Sequence, residues 1–149
     1  MEIVQTVRDA AIGVLKKEYP KADVFAEEIP QTVQDNKDSE WFFVALSVTA
    51  IINLPPLHRE VSLLLTIDYH HPEETNRIYA EAGGKLLDMF YPTLDFIYRD
   101  ELRRITVHDP GMNISGHLLH LTVPLQFVID RDGPVYEPMG ELELNMKEE

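Results

Sequence analysis

Near the C-terminal end, Leu119, Leu121, Val123, Leu125, Phe127 and Ile129 alternate with His120, Thr122, Pro124, Gln126 and Val128. A two-residue period sends successive side chains to opposite faces of a strand, so this segment has one apolar face that some other layer must cover. Pro124 has no amide hydrogen to give to a ladder, which predicts a sheet edge or a bulge there. Val61, Leu63, Leu65, Ile67 and Tyr69 alternate in the same way with Ser62, Thr66 and Asp68 and predict a second half-buried strand.

Residues 41–52, rich in aromatic and β-branched side chains, predict a long third strand with Phe42, Val44, Leu46 and Val48 on one face. Trp41, Phe43 and Ala45 make the other face apolar too, as in a central strand or one that meets a partner subunit. Asn53-Leu54-Pro55-Pro56 breaks the chain between this strand and the next, which makes the two a hairpin. Val24 to Ile29 has strand character up to Pro30, and the polar residues 31–40 read as a loop.

Two segments follow the helical period instead. Ile3, Val7, Ala11, Val14 and Leu15 form one stripe, closed by Tyr19-Pro20, with Lys16 and Lys17 in the last turn opposing the negative end of the helix dipole. Ile78, Tyr79, Ala82, Leu86, Met89 and Phe90 form the other, opened by Pro72-Glu73-Glu74. Gly83-Gly84 inside it suggests a close approach of helix to sheet, since each glycine costs ~1 kcal/mol of helix propensity. Residues 94–98 are a short strand or irregular, 103–108 a strand, and 109–113 a turn containing Pro110 and Gly111.

The resulting order, α-β-β-β-α-β-β, predicts an α+β fold: a largely antiparallel sheet with two main helices packed on one face. A chain of 149 residues with 44% hydrophobic residues supports one core. We expect a single domain over residues 1–134 and an acidic C-terminal tail over 135–149, whose Leu142 and Leu144 alternate with glutamates as a strand would.

Composition narrows the function. The absence of cysteine removes disulfides, thiolate metal sites and a cysteine nucleophile. A net charge of −13 disfavours sequence-independent DNA binding, which needs Lys and Arg against phosphates. No apolar run reaches the ~20 residues of a membrane helix, and the first residues lack a signal-peptide pattern, which places synthesis in the cytoplasm. His70-His71 and His117/His120 are spaced so that a strand separates their faces, a poor arrangement for a metal. The carboxylate pairs Glu27-Glu28, Glu73-Glu74 and Asp100-Glu101 have plainer roles at element ends, and no Gly-x-Ser-x-Gly elbow occurs. We therefore expect no catalytic residues, no metal and no cofactor.

The segments KKEYPKADVFAEEIPQ, WFFVALSV, REVSLLLTIDYHHP, IYAEAGGKLLDMFYPTL and HLLHLTVPLQFVID, in that order and followed by an acidic tail, resemble the tail terminator family of tailed phages and prophages of Gram-positive bacteria. The resemblance covers nearly the whole chain. It implies a structural virion protein that forms a homo-oligomeric ring, a hexamer, on the head-proximal end of the tail tube. There the ring would stop polymerisation and present a surface to the head-completion protein, while DNA passes through without specific binding.

On that reading Trp41 and Phe43, Gln34 and Asp35 in the 31–40 loop, and Leu142 and Leu144 in the tail are the expected interface residues. Another virion ring component (a head–tail joining or tail-tube protein), a small metal- or carboxylate-dependent enzyme, and a module that binds a peptide at its sheet edge are the alternatives.

Overall fold

Residues 2–130 are described by the computed structural model of the chain. The elements are α1 (Glu2–Glu18), β1 (Asp23–Phe25), α2 (Gln31–Gln34), β2 (Trp41–Leu54), β3 (His58–His70), α3 (Asn76–Phe90), β4 (Thr93–Tyr98), β5 (Glu101–Thr106), β6 (Gly111–Ser115) and β7 (Leu118–Asp130). They build a mixed α+β fold around a five-stranded sheet ordered β1-β2-β3-β7-β6, antiparallel except where β1 lies parallel to β2. β4 and β5 form a separate antiparallel pair. Among the described residues no helix is long and apolar enough to cross a membrane.

Register explains why one face holds the core. Phe42 lies opposite Tyr69, which lies opposite Leu119; Val44, Ile67 and Leu121 form the next row, and Leu46, Leu65 and Val123 the one after. The rows stack apolar side chains into one surface, and burial of each is worth roughly 1.5–3 kcal/mol. α1 covers it with Ile3, Val7, Ala11 and Leu15, and α3 with Tyr79, Gly83, Leu86 and Phe90, all buried. The β4–β5 pair folds over the same face, where the Phe96 ring meets Phe127. Over the opposite face, Ala45, Leu64, Thr66, Thr122 and Pro124 are only half-buried.

Thr75 caps α3, its side chain accepting from the amide of Ile78. A Cβ built on Gly83 would overlap Met112 Sδ and touch Leu119, whereas one on Gly84 would meet open space. The close approach therefore belongs to Gly83 alone.

Pro124 pairs with Leu64 inside the sheet and lies two residues beyond Thr122, the last residue of β7 that β6 reaches. On its outer side the ladder is reduced to a bridge between Val107 and Leu125 and a bond from the His108 amide to the Pro124 carbonyl. The strand is thus neither bulged nor bare at that point; its neighbour stops where the amide is missing.

Three local expectations need correction. Residues 31–34 form a helical turn inside the expected loop, closed by bonds from the Val33 and Gln34 amides to the Pro30 carbonyl. The expected turn at 109–113 becomes strand from Gly111 onward, and the reversal comes later at Gly116 and His117, both with positive φ. α3 opens at Thr75 and Asn76, past the expected Pro72-Glu73-Glu74 start; residues 94–98 adopt the strand alternative, joined to β5 through Arg99 and Asp100, again both at positive φ.

Candidate functional site

A group of titratable side chains gathers on the face of the sheet away from the helices, at the end where β2 begins and β3 finishes. Trp41 and His70 are register partners, so their rings stack at 5.6 Å with 16° between planes. Ser39 holds the imidazole through its carbonyl, 2.8 Å from Nδ1, and Glu74 Oε2 lies 2.9 Å from Nε2. Glu74 reaches that position because its backbone takes φ 54 in the turn between β3 and α3. Its carboxyl is held below the usual carboxylate range, chiefly by the hydrogen bond with His70 and further by the nearby His117.

His117 Nδ1 stands 3.8 Å from the other oxygen of Glu74. It is placed there by the tight β6–β7 reversal, which Tyr79 fastens to the helical layer: the Tyr79 hydroxyl donates to the His117 carbonyl and accepts from the His71 amide. Along the same face His120 and Asp68 are cross-strand partners, Nδ1 to Oδ1 at 2.6 Å, and His120 Nε2 faces the Ser115 carbonyl at 3.1 Å. His70 and His120 therefore share one arrangement, an imidazole bridging a carboxylate and a backbone carbonyl.

A shallow cavity of about 330 Å3 opens beside this group, lined by Gln34, Lys37, Trp41, His70, Glu74 and His117 among others. The polar atoms of His70 and Glu74 are occupied by partners within the chain, so their chemistry here is to tie segments together: the 31–40 segment, the end of β3 and the β6–β7 turn. Among the described residues no group of three or more His, Asp or Glu side chains is arranged to hold a metal ion. On the core side of the same strand end, the Tyr69 hydroxyl donates to Glu40 Oε2 at 2.5 Å. Burial first, and then that carboxylate, push the Tyr69 hydroxyl well above its usual range.

The expected interface residues fall unevenly. Trp41, expected on an exposed face, is 5% exposed and stacked against His70, which corrects its assignment as an outward aromatic. Phe43 is half-buried, two residues further along that face. Gln34 is exposed and lines the cavity, with its amide donating to the Ile29 carbonyl; Asp35 is exposed and accepts from the Gln31 side chain. Leu142, Leu144 and the 135–149 tail lie outside the described residues.

The convergence of His70, Glu74 and His117 is not legible in the sequence. The four-residue step from His70 to Glu74 was the available sign, but it crosses a strand end and a turn, where periodicity gives no direction.

No family model and no curated protein matches the chain. One solved chain, known only by a sequence identifier, is similar with a TM-score of 0.47 and 10% identity, over 89% of this chain and 92% of its own length. A likeness at that level carries no argument about activity or partners.

Proposed function

We propose that the chain is a structural subunit that works by assembling with copies of itself, as a phage tail terminator does. It forms a ring, a hexamer, on the head-proximal end of the tail tube, stops tube growth and offers the head-completion protein a surface. It is made in the host cytoplasm, resides in the virion tail, and performs no catalysis and holds no cofactor.

The observation that carries this reading is the one-sided sheet. Both main helices and the β4–β5 pair cover the same face, and the β2–β3 hairpin runs past them. Val48, Ile51, Ile52 and Leu57 on that hairpin are 44–51% exposed, an apolar stretch of the kind that marks a protein interface. The titratable cluster supports it from the other side, since its groups are spent on holding loops. A net charge of −13 suits a ring through which DNA slides without adhering.

Electron microscopy of the purified protein, alone and with tail tubes, tests the proposal. Rings seated on one end of the tubes are expected. A protein that leaves tube ends bare and tube length unlimited overturns it, and co-polymerisation along the tube makes it a tube protein instead.

A further inference from the structure

The five-stranded sheet ends on two open edges. β1 pairs only with Trp41, Phe42 and Phe43, which leaves β2 without a strand on its outer side from Val44 to Leu54 among the described residues. β6, from Gly111 to Ser115, is the opposite edge. Exposed edges in natural sheets are usually blunted by charges or proline. Neither β2 nor β6 contains a single Asp, Glu, Lys, Arg or Pro.

On one face each edge shows two large apolar side chains to solvent, Val48 (44% exposed) and Ile51 (45%) on β2 and Met112 (43%) and Ile114 (38%) on β6, while Ile52 (51%) is exposed on the other face of β2. The first four lie on the core-bearing face. Val48 and Ile51 stand opposite the buried Leu63 and Val61, with a register shift between Val48 and Ala50 that keeps both on that face, and Met112 and Ile114 stand opposite the buried Leu121 and Leu119.

The geometry points to a second copy of this chain as the occupant of both edges: β2 of one subunit pairs with β6 of the next, so the sheet continues from subunit to subunit. This rests on the ring reading above and names the surface that builds the ring. Direction permits it, because β2, β3, β7 and β6 alternate in sense, and β6 laid beside the next β2 in a cyclic array is antiparallel with the core faces on the same side. Side chains fit it, because that antiparallel contact sets Ile114 beside Val48 and Met112 beside Ile51. Charge selects it, because two copies at −13 repel, and strands without charge are where their approach costs least.

The levels of the edges fix the shape. Asn113 is level with Phe43 through His120 and Asp68, whereas the open part of β2 centres on Thr49. Each contact therefore steps along the strands by about six residues, ~20 Å, across a sheet ~19 Å wide, which tilts the strands by roughly 45°, close to the tilt of closed sheets. A two-fold contact of β2 with β2 would leave β6 bare.

Because the chain has no cysteine, Ala50→Cys and Asn113→Cys each introduce a lone thiol. Full-length single variants, checked for wild-type circular dichroism, are treated with a short bis-maleimide linker, separately and mixed. Covalent dimer in the mixture, none above background in either alone, and a ladder of multiples from the double variant are the expected results. Dimer from Ala50→Cys alone, with no additional dimer joining the two variants in the mixture, overturns the edge pairing and leaves the ring reading standing. Rings in the microscope without cross-linking in the mixture do the same. A chain that stays monomeric at every concentration and beside tail tubes overturns both.

Discussion

The Tyr79 hydroxyl, at the first turns of α3, donates to the carbonyl of His117 across 2.7 Å and so clamps a helix to a strand reversal far away in sequence. The same oxygen accepts from the His71 amide, and the ring is fully buried. One side chain thereby joins the end of β3, the start of α3 and the β6–β7 turn.

Tyr79→Phe keeps the ring and deletes the hydroxyl, stranding the His117 carbonyl and the His71 amide. We expect a loss of ~1–3 kcal/mol, the cost of leaving buried polar groups unmatched. Urea denaturation of the two proteins measures it, and an unchanged midpoint would show that water replaces the hydroxyl fully.

Gly83 and Gly84 are neighbours with opposite expectations. Gly84→Ala meets open space and gains up to ~1 kcal/mol of helix propensity. Gly83→Ala gains the same propensity but must displace the Met112 thioether, and overpacking of that kind costs ~1–3 kcal/mol. Gly84→Ala should raise the melting temperature, and Gly83→Ala should melt below it.

Glu74 gives stability a pH dependence of known sign. Its folded pKa lies below the ordinary 4.5, so its contribution is complete above that value and is lost as pH falls through the folded pKa. Denaturation midpoints collected from neutral pH down to about pH 3 should fall less steeply for Glu74→Gln than for the wild type. Parallel curves would show that the carboxylate does not prefer the folded state.

Leu121 sits at 0% exposure in the middle row of the core, between Ile67 on β3 and Met112 on β6. Leu121→Ala should cost ~2–5 kcal/mol through lost transfer energy and the cavity left behind. A smaller loss in equilibrium unfolding would mean that α3 settles into the space.

Much of the fold was legible because it is written in periods. Alternation in residues 61–69 and 119–129 identified the strands and their buried faces, and the stripes from Ile3 and from Ile78 identified both helices. What stayed hidden depends on contacts between distant segments. Met112 and Ile114 sit in a strand only because β7 is beside them, and Pro110 and Gly111 in front of them read as a turn. The reversals at Arg99-Asp100 and Gly116-His117 use positive φ at non-glycine residues, which composition does not announce. The histidine and glutamate cluster likewise exists only once the register brings Trp41 beside His70.

The charge-free strand from Trp41 to Leu54 sits in a molecule that is otherwise strongly anionic. Under the edge pairing proposed above, such a particle is repelled by its own kind at long range and adheres only at contact, where backbone groups and apolar side chains meet. Repulsion weakens once the Debye length shrinks to ~10 Å near 0.1 M salt, while the adhesive strip is nearly indifferent to ions. On that proposal ionic strength governs how often copies touch and the strand governs how long they stay, which would keep the edge dormant in dilute, low-salt solution.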